Sequence, residues 1–111
     1  MKMKSVAHAM AVENPEGFFR RTLAYNDDLM LCHFKSKAGS RIPLHSHPAS
    51  QIGYVISGRV EFIGETEDDR FQVESGDSYV FSGHVKHGAE ILEDAEFIET
   101  FSPSREEYMD F

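Results

Sequence analysis

The sequence predicts an all-β chain folded as a single jelly-roll or closed-barrel domain. Three observations carry this expectation. The 111 residues suffice for one hydrophobic core and no second. Hydrophobic residues make up 41%, enough for a packed core and too many for a disordered acidic chain. Runs of β-branched and aromatic residues recur at roughly 8- to 12-residue spacing, with Gly and Asp in the gaps. About eight antiparallel strands in a small chain close on themselves, which limits exposed edges.

The strands follow in order. Residues 18–25 form one run, and Asn26-Asp27-Asp28 turns the chain into a second at 29–35. The loop Lys37-Ala38-Gly39-Ser40 leads to an extended stretch at 41–44. Residues 51–56 are β-rich, and Ser57-Gly58 is expected to break them from 59–64. There Val60 and Phe62 alternate with Glu61 and Ile63. The acidic stretch from Glu65 to Asp69 reads as a solvated hairpin turn. Shorter runs follow at 71–74, 78–81, 87–92 and 95–101. Residues 104–110 are expected to form a last helical turn capped by Ser102 or Ser104. Residues 1–16 read as an N-terminal extension, partly flexible, and residues 17–111 as the barrel domain with its short C-terminal turn.

Charge and cysteine usage exclude several function classes. Lys plus Arg total 11 and Asp plus Glu 19, a formal net charge of −8. Nucleic-acid binding needs a basic face, and so does electrostatic adhesion to an anionic membrane surface. The lone Cys32 excludes an internal disulfide framework and a thiolate zinc site. No apolar run approaches the roughly 18 to 20 residues of a membrane span. Two early lysines precede a short apolar stretch, but His8 interrupts it and Glu13 ends it. A cytoplasmic location is therefore expected over export.

Six histidines stand out in such a chain. His45-Ser46-His47 places two imidazoles on one face of an extended segment. Gln51 follows four residues later, and His87 lies on a distant strand. Two neighbouring His, a third from elsewhere and an oxygen ligand suit Zn, Fe, Ni, Mn or Cu. An H-x-H alone does not distinguish a ligand pair from ordinary histidines. Gly39 before His45, Gly58 after Gln51 and Gly76 before His87 add the turns that an open-mouthed barrel needs.

At this point the chain resembles the cupin family. The first cupin motif, G-x5-H-x-H-x3-4-E-x6-G, is matched in spacing by Gly39, His45, His47, Gln51 and Gly58. The second, G-x5-P-x-G-x2-H-x3-N, is matched by Gly76 and His87. Ser82 stands for the Pro, His84 for the Gly and Ile91 for the Asn. The resemblance covers about residues 35–101 and implies a double-stranded β-helix with one divalent transition metal (Zn, Ni, Mn or Fe) inside. Gln51, standing for the Glu, leaves the ion its full charge. It is then a stronger Lewis acid, held less tightly and suited to anionic ligands. The opposing reading is that Gln51 marks a site that has lost its metal.

A second match lies near the C-terminus. Residues Glu99-Thr100-Phe101-Ser102-Pro103-Ser104-Arg105-Glu106-Glu107-Tyr108 resemble the D-V-F-S-P-x-R-E-x-Y segment of small single-domain cupins, the KdgF family of pectin degradation proteins among them. That family also uses Gln as its fourth ligand. The resemblance implies opening of a 4,5-unsaturated uronate to the linear 5-keto-4-deoxy form. It places Glu99 where the family has a catalytic Asp, and Phe101 and Arg105 where it has its active-site Phe and Arg. It also implies a homodimer. Arg105 would grip the carboxylate of a small anionic carbohydrate. Two further readings stay open: a cupin dioxygenase, and a non-catalytic domain that senses a sugar or a metal.

The remaining candidates are subsidiary. Arg41, just before the ligand strand, is a possible second anion contact. Gly53 is expected to leave space above the metal. Cys32 shares a strand face with Met30 and Phe34, which indicates packing. His33 reads as a structural strand residue, His84 as a turn residue at the pocket rim and His8 as part of a mobile tail. Met109 and Phe111 are expected to plug the barrel or meet a second subunit.

Overall fold

Two long strands carry the architecture. In the computed structural model, which describes residues 1–109, β5 (Ser50–Ile63) and β8 (His87–Ser102) pair antiparallel over most of their length. The other strands are β1 (Ala11–Glu13), β2 (Phe18–Tyr25), β3 (Met30–Ser36), β4 (Arg41–His45), β6 (Arg70–Glu74) and β7 (Ser78–Phe81). The C-terminal half of β8 pairs with β3, which continues through β2 to β1; its N-terminal half pairs with β4. Likewise β5 takes β7 along its first half and β6 along its second. All eight strands thus form one antiparallel sheet whose two long strands each change partner along their length, giving the jelly-roll topology expected from the sequence.

The expected break at Ser57-Gly58 is instead a bulge within a continuous strand. The β5–β8 register shifts at Val55, Ser57 and Arg59. Gly58 has φ +86°, and a Cβ there would collide with the Asp94 carbonyl. Only glycine takes that backbone conformation at so close an approach. The bulge also changes the parity of the inward positions. Gln51, Gly53 and Val55 face inward before it, and Val60 and Phe62 after it. Residues 87–92 and 95–101 likewise belong to one strand, β8. The strand continues through the exposed Leu92, Glu93 and Asp94, the last two of which fell between the two expected runs.

The core lies on the inward face of this sheet. Phe18, Met30, Cys32, Val55, Val60, Ile91 and Phe101 are almost wholly buried, and Phe34 stacks on Phe97 with ring centroids 5.2 Å apart. Cys32 packs inward with Met30 and Phe34 on β3. Within the segment read as an extension, β1 joins the sheet through β2, and His8 lies in an exposed 310 turn, Val6–His8. The C-terminal turn is a single 310 turn, Glu106–Tyr108. Arg105 occupies its cap position and no side chain caps it; Ser104 Oγ donates instead to the Asn26 carbonyl. Met109 packs against the core, whereas Phe111 lies outside the described residues. Among the described residues no helix is long and apolar enough to cross a membrane.

Candidate metal centre

Strand register brings the histidines together. His45 ends β4 and His87 begins β8, and the two are direct cross-strand partners with rings 4.5 Å apart. His47 follows just beyond β4, and its ring lies 5.0 Å from that of His87. One ligand atom from each of the three lies within 4.8 Å of the others. Gln51, in the first turnless stretch after Pro48, points inward on β5 and is 6% exposed.

The second ring nitrogen of each histidine settles its chemistry. Nδ1 of His45 lies 2.9 Å from the Pro43 carbonyl, Nδ1 of His47 2.8 Å from that of Ala49, and Nδ1 of His87 2.8 Å from that of Val85. A carbonyl only accepts, so each Nδ1 carries the hydrogen and each Nε2 of a neutral ring presents a bare lone pair. Burial lowers the pKa of His47, aided by Arg105. Burial also pulls His87 down to about 4, aided by His45, His47 and Arg105. Both rings are neutral at neutral pH. The parallel Phe81 ring, 4.5 Å away, fixes the plane of His87.

Gln51 extends the donor set. Its Nε2 donates to Glu99 Oε2 at 2.9 Å, which leaves Oε1 facing His47 Nε2 at 2.9 Å. Two acceptors so close repel unless a cation lies with them. The lowered pKa of His47 disfavours a proton in that place, and a divalent metal ion fits it. Three imidazole nitrogens and one amide oxygen suit a first-row transition metal.

Opposite the histidines stands a wall of acid and cation. Glu99 on β8 is wholly inside, and burial pushes its pKa up to about 7 against hydrogen bonds from Tyr79 and Gln51 and the charge of Arg105. The Tyr79 hydroxyl donates to Glu99 Oε2 at 2.6 Å. Arg105 is held over the same space. Its Nε donates to Glu107 Oε1 at 2.7 Å, its Nη1 donates to the Tyr108 hydroxyl at 2.9 Å, and the guanidinium lies 4.2 Å above the Tyr108 ring. Arg20 covers that ring as well, and Thr22 Oγ1 donates to the Tyr108 carbonyl, so β2 anchors the segment. His45, Gln51, His87, Glu99, Phe101 and Arg105 line one cavity of about 40 Å³.

Not every candidate reaches it. Arg41 is exposed, opposite Glu90 on β8, and does not line the cavity. His33 points away, its Nε2 2.7 Å from Glu96 Oε2. His84 is exposed in a turn with φ +68°. The space expected above Gly53 is filled: a Cβ there would collide with the Tyr79 ring and hydroxyl. Tyr79, Phe81 and Tyr108 are site residues that sequence reasoning missed. Inward alternation over 78–81 marks Tyr79 and Phe81 as buried, but only register shows what they touch.

Comparison with known proteins agrees with this fold. The model of the Cupin_2 family, a cupin domain, matches residues 32–101. KdgF from Halomonas sp. is similar over 98% of this chain and 99% of its own, with 31% identity and a TM-score of 0.87. An RmlC-like cupin from Shewanella frigidimarina is similar over 98% of this chain and 100% of its own, with 26% identity and a TM-score of 0.85. A Bacillus subtilis oxalate decarboxylase shares the fold at 22% identity and TM-score 0.82, over 96% of this chain and 31% of its own. A search of curated proteins gave no match. The family match spans well over half of the chain, which is therefore a member of the cupin family.

Proposed function

We propose that this cupin is a metal-dependent isomerase that opens a small 4,5-unsaturated uronate to its linear 5-keto-4-deoxy form. One observation carries the reading: two members of the three-histidine cluster, His45 and His87, line a single cavity with Gln51, Glu99, Phe101 and Arg105. Similarity to KdgF along nearly the whole chain supports it. His45, His47, Gln51 and His87 would hold one divalent ion, Zn, Ni, Mn or Fe. When bound, the ion supplies Lewis-acid polarisation of a substrate oxygen.

The chain's own residues supply the rest. Arg105 binds the substrate carboxylate with the guanidinium edge that Glu107 and Tyr108 leave open. Phe101 and Phe97 give the sugar ring an apolar wall. Glu99, with a pKa of about 7, takes and returns protons near neutral pH. The anomeric hydroxyl loses its proton and becomes the aldehyde carbonyl. The bond from the anomeric carbon to the ring oxygen breaks, and its electron pair stays on that oxygen. The resulting enolate gains a proton at C4 and becomes the ketone. One proton leaves and one returns, so the reaction is an isomerisation without oxidant. The cavity of about 40 Å³ holds only a few waters.

The test is to incubate metal-loaded protein with unsaturated galacturonate and follow the enol-ether absorbance and dissolved oxygen together. Faster loss of absorbance than in buffer, without oxygen uptake, is expected. A rate equal to the spontaneous one contradicts the reading, and oxygen consumption would indicate a dioxygenase. The proposal extends to a homodimer in the cytoplasm. Ile52, Tyr54, Ile56 and Val80 form an exposed apolar stripe on the outer face of β5 and β7 that suits a second copy. A monomer by light scattering contradicts this.

A further inference from the structure

The cross-strand row Tyr79, Gly53, Glu99 has a role beyond packing. Gly53 is the direct partner of Tyr79 on β7 and of Glu99 on β8, so three adjacent strands place these residues in line. With no side chain in the middle, Tyr79 crosses over Gly53 and its hydroxyl reaches Glu99 Oε2. Gln51 Nε2, two residues before Gly53 on the same face, donates to the same oxygen. Both donors land on Oε2, so that oxygen is the acceptor whatever the protonation of Oε1.

The consequence falls on Gln51. An amide side chain has a donor end and an acceptor end of nearly equal shape. Nothing in Gln51 itself decides which end faces the histidines. An acceptor held rigidly behind the amide does decide it: Nε2 turns to Glu99, and Oε1 turns to His47. Glutamate has one more rotatable bond than aspartate and needs a second contact to hold its oxygen still. Tyr79 supplies that contact. Burial raises its own pKa well above the usual range, so it stays a donor.

We propose that Tyr79 is a positioning residue of the metal site: its hydroxyl pins Glu99 Oε2, which in turn fixes the Gln51 amide with oxygen toward the histidines. This rests on the metal reading above but not on the uronate reaction. Outer partners of this kind change metal affinity by about 10- to 100-fold when removed.

The test measures Zn²⁺ affinity by competition with a chromophoric chelator, independent of any activity. Tyr79→Phe keeps the ring against Phe62, 4.4 Å away, and against Phe81, 5.6 Å away, and removes only the hydroxyl. It is expected to weaken Zn²⁺ binding about 10-fold. In a Gln51→Ala background there is no amide left to orient, and Tyr79→Phe is expected to change affinity less than about 2-fold. Glu99→Leu, which removes the acceptor, should cost at least as much as Tyr79→Phe, and serves if Tyr79→Phe fails to fold. Equal losses in both backgrounds would show a merely structural role and overturn the inference, as would an unchanged affinity for Tyr79→Phe alone. A wild-type protein that does not bind Zn²⁺ overturns the metal reading itself, and this inference with it.

Discussion

The two walls of the cavity are built by different means. On the histidine wall every imidazole is fixed by its own neighbours: each Nδ1 bonds a backbone carbonyl two residues away in sequence. On the opposite wall Glu99, and the segment that carries Arg105, are fixed by partners far away in sequence. Glu99 is bonded by Tyr79, 20 residues off, and by Gln51, 48 residues off. The Tyr108 carbonyl, on the segment that carries Arg105, is tied to Thr22 across 86 residues. The first wall is a local motif and the second a product of tertiary register. Changes to the second wall should therefore weaken metal binding only through the orientation of the Gln51 amide, whereas loss of a histidine should abolish it.

The largest expected effect comes from breaking the local wall. His87→Ala should abolish stoichiometric metal binding and reduce ring opening to the spontaneous rate; metal analysis alongside kinetics checks both. Next is Glu99→Gln, which removes the acid but keeps an oxygen for Gln51 and Tyr79. A fall in kcat of about 10²- to 10⁴-fold is expected, with metal content retained. Loss of metal with loss of rate would erase the distinction between the walls. Arg105→Ala should raise KM about 10- to 100-fold with a smaller change in kcat, since it removes a charge-assisted contact to bound substrate. Unchanged KM would take Arg105 out of binding.

A smaller effect concerns pH. For Glu99 the folded-state pKa, about 7, exceeds its ordinary value of 4.5. The folded state then holds the extra proton, and this group's contribution falls as pH rises from 4.5 to 7. His87 runs the other way, from 6.5 down to about 4, so its contribution grows as pH rises through that window. In metal-free protein the two oppose each other. Glu99→Gln should therefore gain stability with rising pH between about 4.5 and 6.5 more steeply than wild type, as read by denaturant midpoints. Parallel curves would contradict the buried acid. Glu107→Gln is the mildest change. Its carboxylate is 60% exposed, and its pairing with Arg105 should be worth less than about 1 kcal/mol of stability.

The same contrast explains what could be read in advance. The histidines, Gln51 and the flanking glycines were legible because their geometry depends on spacing within short segments. Alternation puts Glu99 on one strand face with Phe97 and Phe101, but the roles of Glu99, Phe101 and Arg105 were legible only through a resemblance, since nothing local places that face beside the histidines. Tyr79 was legible as a buried residue but not as a partner of Glu99. Its contact depends on β7 and β8 both flanking β5 at Gly53, and cross-strand register is set by the whole sheet. The bulge at Gly58 was mistaken for a break because glycine marks both, and only the Asp94 carbonyl pressed against it tells them apart. Arg41 shows the opposite error: nearness in sequence to a ligand strand did not bring it to the cavity.

The most direct measurement of the account adds Zn²⁺ or Ni²⁺ stepwise to chelator-stripped protein and follows ring opening of unsaturated galacturonate at each step. The account predicts a rate that starts at the spontaneous value and rises to a plateau at one ion per chain. A full rate in stripped protein, or a spontaneous rate at saturating metal, would contradict it.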